Sequence, residues 1–100
     1  MKSHSLSPKE AIILQLLTTK QKAYGLELVD DSGGHLKRGT IYVTLSRLEK
    51  KGFVRSWLAE SKPGEMGPAR RLYQLTADGS RVLTHWMASL QALNAHFAGL

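Results

Sequence analysis

Positively charged side chains are concentrated between residues 37 and 71 of this 100-residue chain. That segment holds nine Lys and Arg residues against three Glu residues, so it accounts for the whole net charge of +6. Outside it, five basic and five acidic residues balance one another. Binding to a polyanion such as duplex DNA requires positive charge that is gathered on one surface. We therefore expect this segment to form a polyanion-binding surface, with evenly solvated charge as the alternative.

A helix is predicted from about Gly39 to Lys51, inside the basic segment. Its apolar residues Ile41, Leu45 and Leu48 recur at the spacing of one helical face, which is expected to be buried. Angular spacing places five further residues on the opposite face or at its flank: Tyr42, Val43, Ser46, Arg47 and Lys50. Arginine can pair with guanine through two hydrogen bonds, serine can donate or accept, and valine can contact the methyl group of thymine. We therefore predict that the middle three of these side chains reach base edges; a solvated helix face is the alternative.

Other residues are candidates for contacts with the DNA backbone. Thr40 and Tyr42 lie at the predicted helix start, where hydroxyl and backbone N–H groups can bind phosphate. Packing of Tyr42 on the preceding helix is the alternative, and the two interpretations are compatible. Each of the remaining candidates is a basic residue before the helix or around a later loop, and could instead be an ordinary loop charge. They are Lys37, Arg38, Lys62, Arg70 and Arg71. The last two alternate along a strand and should point to opposite faces, and of them we favour Arg70 as the DNA contact.

Local signals predict the elements that position these residues. Ser7, Pro8 and Glu10 form a capping box that begins a first helix, and a second helix should run from Tyr24 to the glycines at 33 and 34. Two strands, at residues 53–60 and 70–75, flank a loop with two prolines and two glycines and should form a β-hairpin. A final helix begins at residues 76–78 and should reach about Ala98. The fold class is therefore α+β, mostly α: a winged helix-turn-helix with three helices, a two-stranded wing and a long C-terminal helix.

The predicted last helix carries an apolar seam. Its members recur at intervals of three and four residues, as at the a and d positions of a coiled coil: Leu83, Trp86, Leu90, Leu93 and Phe97. We expect this seam to pair two copies of the chain, with packing on the chain's own core as the alternative. Residues 1–76 would then form the DNA-binding domain, and residues 77–100 a dimerisation helix packed on it. Trp86 could also stack on a planar aromatic effector at the dimer interface, although structural burial is the simpler interpretation.

Several classes of function lack the residues they need. The chain has no cysteine, which excludes disulfides, thiol catalysis and cysteine-based zinc sites and fits a reducing cytoplasm. The four histidines are scattered, and neither a nucleophile–base pair nor a phosphate-binding glycine loop stands out. No apolar run approaches the length of a membrane span. We therefore predict no catalytic residues, no cofactor, no metal and no membrane partner.

Three segments, in order along the chain, resemble the PadR family of transcriptional regulators. They are Tyr24-Gly25-Leu26-Glu27-Leu28; Gly39-Thr40-Ile41-Tyr42 with Leu45, Arg47-Leu48-Glu49 and Gly52-Phe53-Val54; and Pro68-Ala69-Arg70-Arg71-Leu72-Tyr73-Gln74-Leu75-Thr76 with Gly79. The family commonly has proline where this chain has Val43. The resemblance implies a homodimeric repressor that leaves a roughly palindromic operator when a small molecule binds. A winged helix that docks on an acidic protein, without specific DNA binding, is the alternative function.

Overall fold

The computed structural model describes residues 6–60, 64 and 70–98. Its elements follow one another as α1 (Pro8–Lys20), β1 (Lys22–Tyr24), α2 (Gly25–Asp31), α3 (Ile41–Lys50), β2 (Val54–Leu58), β3 (Arg71–Leu75) and α4 (Ala77–Ala98). The three helices, the β2–β3 hairpin and the long last helix confirm the predicted winged helix-turn-helix. Lys62, a predicted DNA contact in the wing loop, lies outside the described residues.

The predicted capping box begins α1. The backbone N–H of Glu10 donates to Ser7 Oγ at 3.2 Å, and the Ser7 N–H donates to Glu10 Oε1 at 2.9 Å. Glu10 is only 5% exposed, and its carboxylate also accepts hydrogen bonds from Lys51 Nζ at 2.8 and 3.1 Å. Because Lys51 directly follows α3, this ion pair joins the start of α1 to the end of α3.

The ionisation of Glu10 contributes to the stability of this junction. Burial raises the pKa of the carboxyl group, but the hydrogen bonds from Lys51 and Ser7, with the charge of Lys51, hold the pKa below its ordinary value of 4.5. A carboxyl group with a lower pKa in the folded state stabilises the fold at pH values above its unfolded-state pKa. That stabilisation is lost as the pH falls through the lower, folded-state pKa.

Replacing Lys51 with methionine is expected to lower the free energy of unfolding by about 2 kcal/mol at neutral pH, because a buried carboxylate then lacks its cation. The loss should shrink in acid, where the Glu10 carboxyl protonates and gains nothing from Lys51. Urea unfolding at neutral pH and at about pH 3.5 measures both values. The control is Lys20→Met, which removes a cation from partly exposed pairs with Glu27 and Asp31 and should cost under about 1 kcal/mol. Equal losses in the two variants would contradict the role of burial.

The small sheet contains one strand more than the sequence predicts. Its order is β1-β3-β2, with β3 antiparallel to both neighbours. We predicted no strand at the position of β1, where Tyr24 was expected to begin the second helix. The strand is three residues long and pairs Tyr24 with Leu72. A segment this short has no periodicity to detect, and it is fixed by pairing with a strand about fifty residues later and by the complete burial of Ala23.

The core lies between the helices and one face of the sheet. The predicted apolar stripe of α3 is confirmed, since Ile41, Leu45 and Leu48 are at most 1% exposed. These side chains belong to one cluster with residues of α1, α2 and the sheet, including Ile13, Leu14, Leu17, Leu28, Val54 and Tyr73. Burial of this stripe fixes the rotation of α3 about its axis and so decides which of its side chains face the solvent.

The last helix starts within this core and continues beyond it. Val82 and Leu83 are each 8% exposed, and α4 packs against α1. Trp86 is half-buried against the core cluster, whereas Leu90 and Leu93 are 38% and 51% exposed. No helix in the described part of the chain is long and apolar enough to cross a membrane.

Candidate nucleic-acid interface

The outer face of α3 presents the side chains predicted to reach base edges. Val43 is 54% exposed and Tyr42 51% exposed, and Ser46 and Arg47 are also exposed. The helix begins after Thr40, whose side chain makes no capping hydrogen bond. The exposed face is therefore the combination of donors, acceptors and one apolar group that contacts with the major groove require.

Several cations at this face make no ion pair with any described residue. Within residues 6–60, 64 and 70–98, the salt bridges involve Lys20, Lys51 and Arg81. Four exposed cations at or just before α3 are absent from these pairs: Lys37, Arg38, Arg47 and Lys50. Lys51, by contrast, is held by Glu10. Positive charge on the outer side of α3 is thus available for phosphate, while the cation at its end is neutralised within the fold.

Tyr42 packs on the start of α2 as well as facing the solvent. A Cβ atom placed on Gly25 would lie 2.7 Å from Tyr42 Cε1 and 3.1 Å from its Cζ. The backbone of Gly25 therefore forms the surface on which the tyrosine ring rests, as the packing interpretation predicts. This contact sets how closely α2 and α3 approach one another, and it leaves half of the ring accessible.

Replacing Gly25 with alanine is expected to lower the free energy of unfolding by about 1 kcal/mol, because the added methyl group displaces the Tyr42 ring. In a Tyr42→Ala background the same substitution should cost nothing or stabilise slightly, since alanine favours a helical backbone. Thermal unfolding of the four proteins in this double-mutant cycle measures the coupling. Equal effects of Gly25→Ala in both backgrounds would show that the ring does not rest on Gly25.

The two wing arginines point to opposite faces of the sheet. The Arg70 guanidinium carbon lies 5.0 Å from the centre of the Tyr24 ring. Arg71 Nη1 donates to Ser56 Oγ at 3.0 Å, and Ser56 Oγ donates to Glu49 Oε2 of α3 at 2.7 Å. The structure therefore places Arg71 on the side of α3 and Arg70 on the side of β1. Sequence reasoning favoured Arg70 and missed Glu49 and Ser56, since nothing in their residue types indicates that they meet.

A groove of about 350 Å³ is lined by residues of both α1 and α4. Thr18 and Gln15 line one side, and Leu83, Met87 and Gln91 line the other. Trp86, the predicted ligand contact, is not among the lining residues. The side chain of Phe97 lies outside the described part of the structure. No group of three or more His, Asp or Glu side chains among the described residues could hold a metal ion.

A three-helix core whose third helix turns a cationic face outwards, beside a two-stranded wing, is the arrangement of winged-helix regulators that bind DNA. The chain belongs to the PadR-like family of transcriptional regulators, whose family model matches residues 13–85. Members of this family are transcription regulators and not enzymes. Among curated proteins, none matches the sequence.

Two solved structures of PadR proteins and one of a further transcriptional regulator resemble most of the chain. A PadR-like transcription factor from Bacteroides fragilis is 29% identical, with a TM-score of 0.77, over 91% of this chain and 87% of that one. A PadR family regulator from Clostridium difficile is 26% identical, with a TM-score of 0.74, over 90% of this chain and 94% of that one. The PcaV regulator of Streptomyces coelicolor, solved with its natural ligand, is 25% identical, with a TM-score of 0.74, over 99% of this chain and 65% of that one.

Proposed function

We propose that this PadR-family regulator is a homodimeric repressor that reads a roughly palindromic operator in the cytoplasm. The observation that carries the proposal is the outer face of α3, where Val43, Ser46 and Arg47 are exposed and Arg47 has no ion-pair partner among the described residues. In a two-fold dimer, the two α3 helices would enter successive major grooves about 34 Å apart. Thr40 and the cations before α3, with Arg71 of the wing, would contact phosphates on either side.

The proposed dimer contact is the distal part of α4. Leu90 and Leu93 are exposed apolar side chains on the same seam as Leu83 and Trp86, and an exposed apolar stripe of this kind is typical of a contact between chains. Two heptads are too short for a stable coiled coil on their own. The contact would therefore include further surface of the partner copy.

The proposed effector is a small planar aromatic molecule that binds where the dimer brings Trp86 to the interface. Trp86 is half-buried in one chain, so part of its ring remains available for stacking. The ligand-bound PcaV structure supports the idea that a fold of this shape accepts a small molecule. Binding that favours a different separation of the two α3 helices would release the operator.

The test is selection of bound duplexes from a random pool at two salt concentrations. The proposal expects selected sites with a dyad and binding that weakens steeply with salt, by about 10³-fold between 50 and 200 mM for six phosphate contacts. Sedimentation of the free protein should report a dimer. Binding without discrimination among sequences would instead indicate a winged helix that docks on an acidic protein.

A further inference from the structure

A chain of three polar side chains connects the wing to α3. Glu49 is on α3, Ser56 on β2 and Arg71 on β3. Because a hydroxyl has one proton to donate and lone pairs to accept with, Ser56 Oγ donates to the Glu49 carboxylate at 2.7 Å and accepts from Arg71 Nη1 at 3.0 Å. Ser56 is half-buried between two exposed charges, so a neutral hydroxyl joins an anion to a cation.

The buried tyrosine beneath this chain experiences both charges. Tyr73 pairs with Ser56 in the sheet and is 5% exposed. Burial raises the pKa of its hydroxyl, the charge of Arg71 lowers it, and the charge of Glu49 raises it. Tyr73, the strand neighbour of Ser56, therefore lies within reach of both charges.

The charge of Glu49 has to be compensated if α3 approaches DNA. It is the single carboxylate of α3, among Arg47, Lys50 and the exposed polar face. An unpaired carboxylate near a phosphate backbone would oppose binding. The hydrogen bonds through Ser56 place the Arg71 cation beside it, so that the helix presents little negative potential.

At the base of the hairpin, the Phe53 N–H donates to the Leu48 carbonyl of α3 at 2.9 Å, and Val54 and Tyr73 share the buried cluster of the α3 stripe. The chain reverses at Gly52, with φ of +82°, between the end of α3 and the start of β2. A first side-chain hydrogen bond is made at this reversal, where Thr76 Oγ1 donates to the Gly52 carbonyl at 2.7 Å. The Glu49–Ser56–Arg71 chain makes a second connection further along the hairpin. A connection beyond the base of the hairpin restrains the tilt of the wing relative to α3 more strongly than contacts at the base alone.

We propose that Glu49, Ser56 and Arg71 are positioning residues that hold the wing at the angle to α3 from which both reach one DNA half-site. The inference rests on the proposed function, because it concerns how that DNA is read. Ser56 contributes through its hydroxyl alone. Arg71 has a second role on this view, since its guanidinium has further N–H groups that remain available to phosphate while Nη1 is held.

The decisive variant is Ser56→Ala, which removes the connection without changing any charge. On the operator selected by the wild type, affinity is expected to fall about tenfold, and the slope of log affinity against log salt should become shallower by about one phosphate contact per chain. Hydroxyl-radical footprinting should show loss of protection where the wing lies, with protection by α3 retained. Ser56→Thr keeps the hydroxyl and should restore affinity and footprint. Ser80→Ala, at the exposed start of α4 and away from the proposed dimer contact, is the matched serine control and should change neither.

Thermal unfolding establishes that each variant is folded before its footprint is compared. The inference would be overturned if folded Ser56→Ala kept the affinity, the salt slope and the wing protection of the wild type. A uniform weakening of the whole footprint that Ser56→Thr does not restore would also overturn it, since this would indicate a general loss of structure. Failure of the unaltered protein to discriminate among duplexes would overturn the proposed function itself, and the order of the measurements separates the two results.

Discussion

Replacing Gly79 with alanine is expected to lower the free energy of unfolding by about 3 kcal/mol. A Cβ atom on Gly79 would lie 2.1 Å from the Phe53 carbonyl oxygen and 2.8 Å from Leu75 Cδ1. The carbonyl cannot move aside cheaply, because it accepts the backbone hydrogen bond from Thr76 at 3.1 Å. The Gly79 N–H in turn donates to Thr76 Oγ1 at 3.0 Å, which holds the first turn of α4 against the base of the hairpin.

The close contacts of Gly79 and the helix propensity of alanine predict opposite changes in the free energy of unfolding, so the measurement distinguishes them. Alanine in a helix without tertiary contacts is more stable than glycine by about 1 kcal/mol, so helix propensity alone predicts stabilisation. Urea unfolding of Gly79→Ala measures the change in the free energy of unfolding. The control is Ser80→Ala, which introduces alanine at the neighbouring exposed position and should stay within about 0.5 kcal/mol of the wild type. A stabilised Gly79→Ala protein would show that α4 does not approach Phe53 so closely.

The elements that sequence reasoning predicted well are those specified by neighbouring residues. The capping box of Ser7 and Glu10 and the 3.6-residue stripe of α3 are local signals, and both appear in the structure. Strand β1 was missed because pairing with β3, far along the chain, specifies it. Gly79 was noted only as part of a family pattern, and its physical role depends on contact with Phe53. Long-range approach of this kind leaves no period in the sequence.

In the candidate site, too, local sequence patterns predicted some features, and others depend on contacts between distant residues. Burial of Ile41, Leu45 and Leu48 fixes the rotation of α3, so its exposed side follows from angular spacing alone. The directions of Arg70 and Arg71 were predictable only as opposite, since their surroundings depend on which strand pairs on each side of β3. Tertiary structure, not local pattern, therefore places one arginine over Tyr24 and the other beside Ser56.

The apolar seam of α4 shows what periodicity leaves open. A repeat of three and four residues indicates one apolar face, but not the surface that covers it. In the structure Leu83 packs into the chain's own core, while Leu90 and Leu93 continue the face into the solvent. Packing on the chain's own core therefore accounts for Leu83, and pairing of two copies stays a prediction for Leu90 and Leu93. The inner part anchors α4, and the outer part is the surface that we propose for dimerisation.

Replacing Arg47 with alanine is expected to weaken binding to the selected operator about 30-fold and binding to random-sequence duplex about threefold. The larger loss follows from a bidentate hydrogen-bonded pair with guanine, and the smaller one from the loss of a unit charge near phosphate. Arg47 is exposed on α3, and no ion pair within the described residues competes for its guanidinium. Equilibrium titrations of both duplexes at one salt concentration measure the ratio of the two losses.

The matched control is Arg81→Ala, which removes the same side chain and the same charge from α4, where Arg81 pairs with Asp78. It should change neither affinity by more than about twofold, because an exposed charge beyond a Debye length of about 8 Å from the DNA is screened. Equal losses on operator and random duplex in Arg47→Ala would show that Arg47 contacts phosphate alone. The reading of sequence would then rest on Val43 and Ser46, whose side chains share the exposed face of α3 with Arg47.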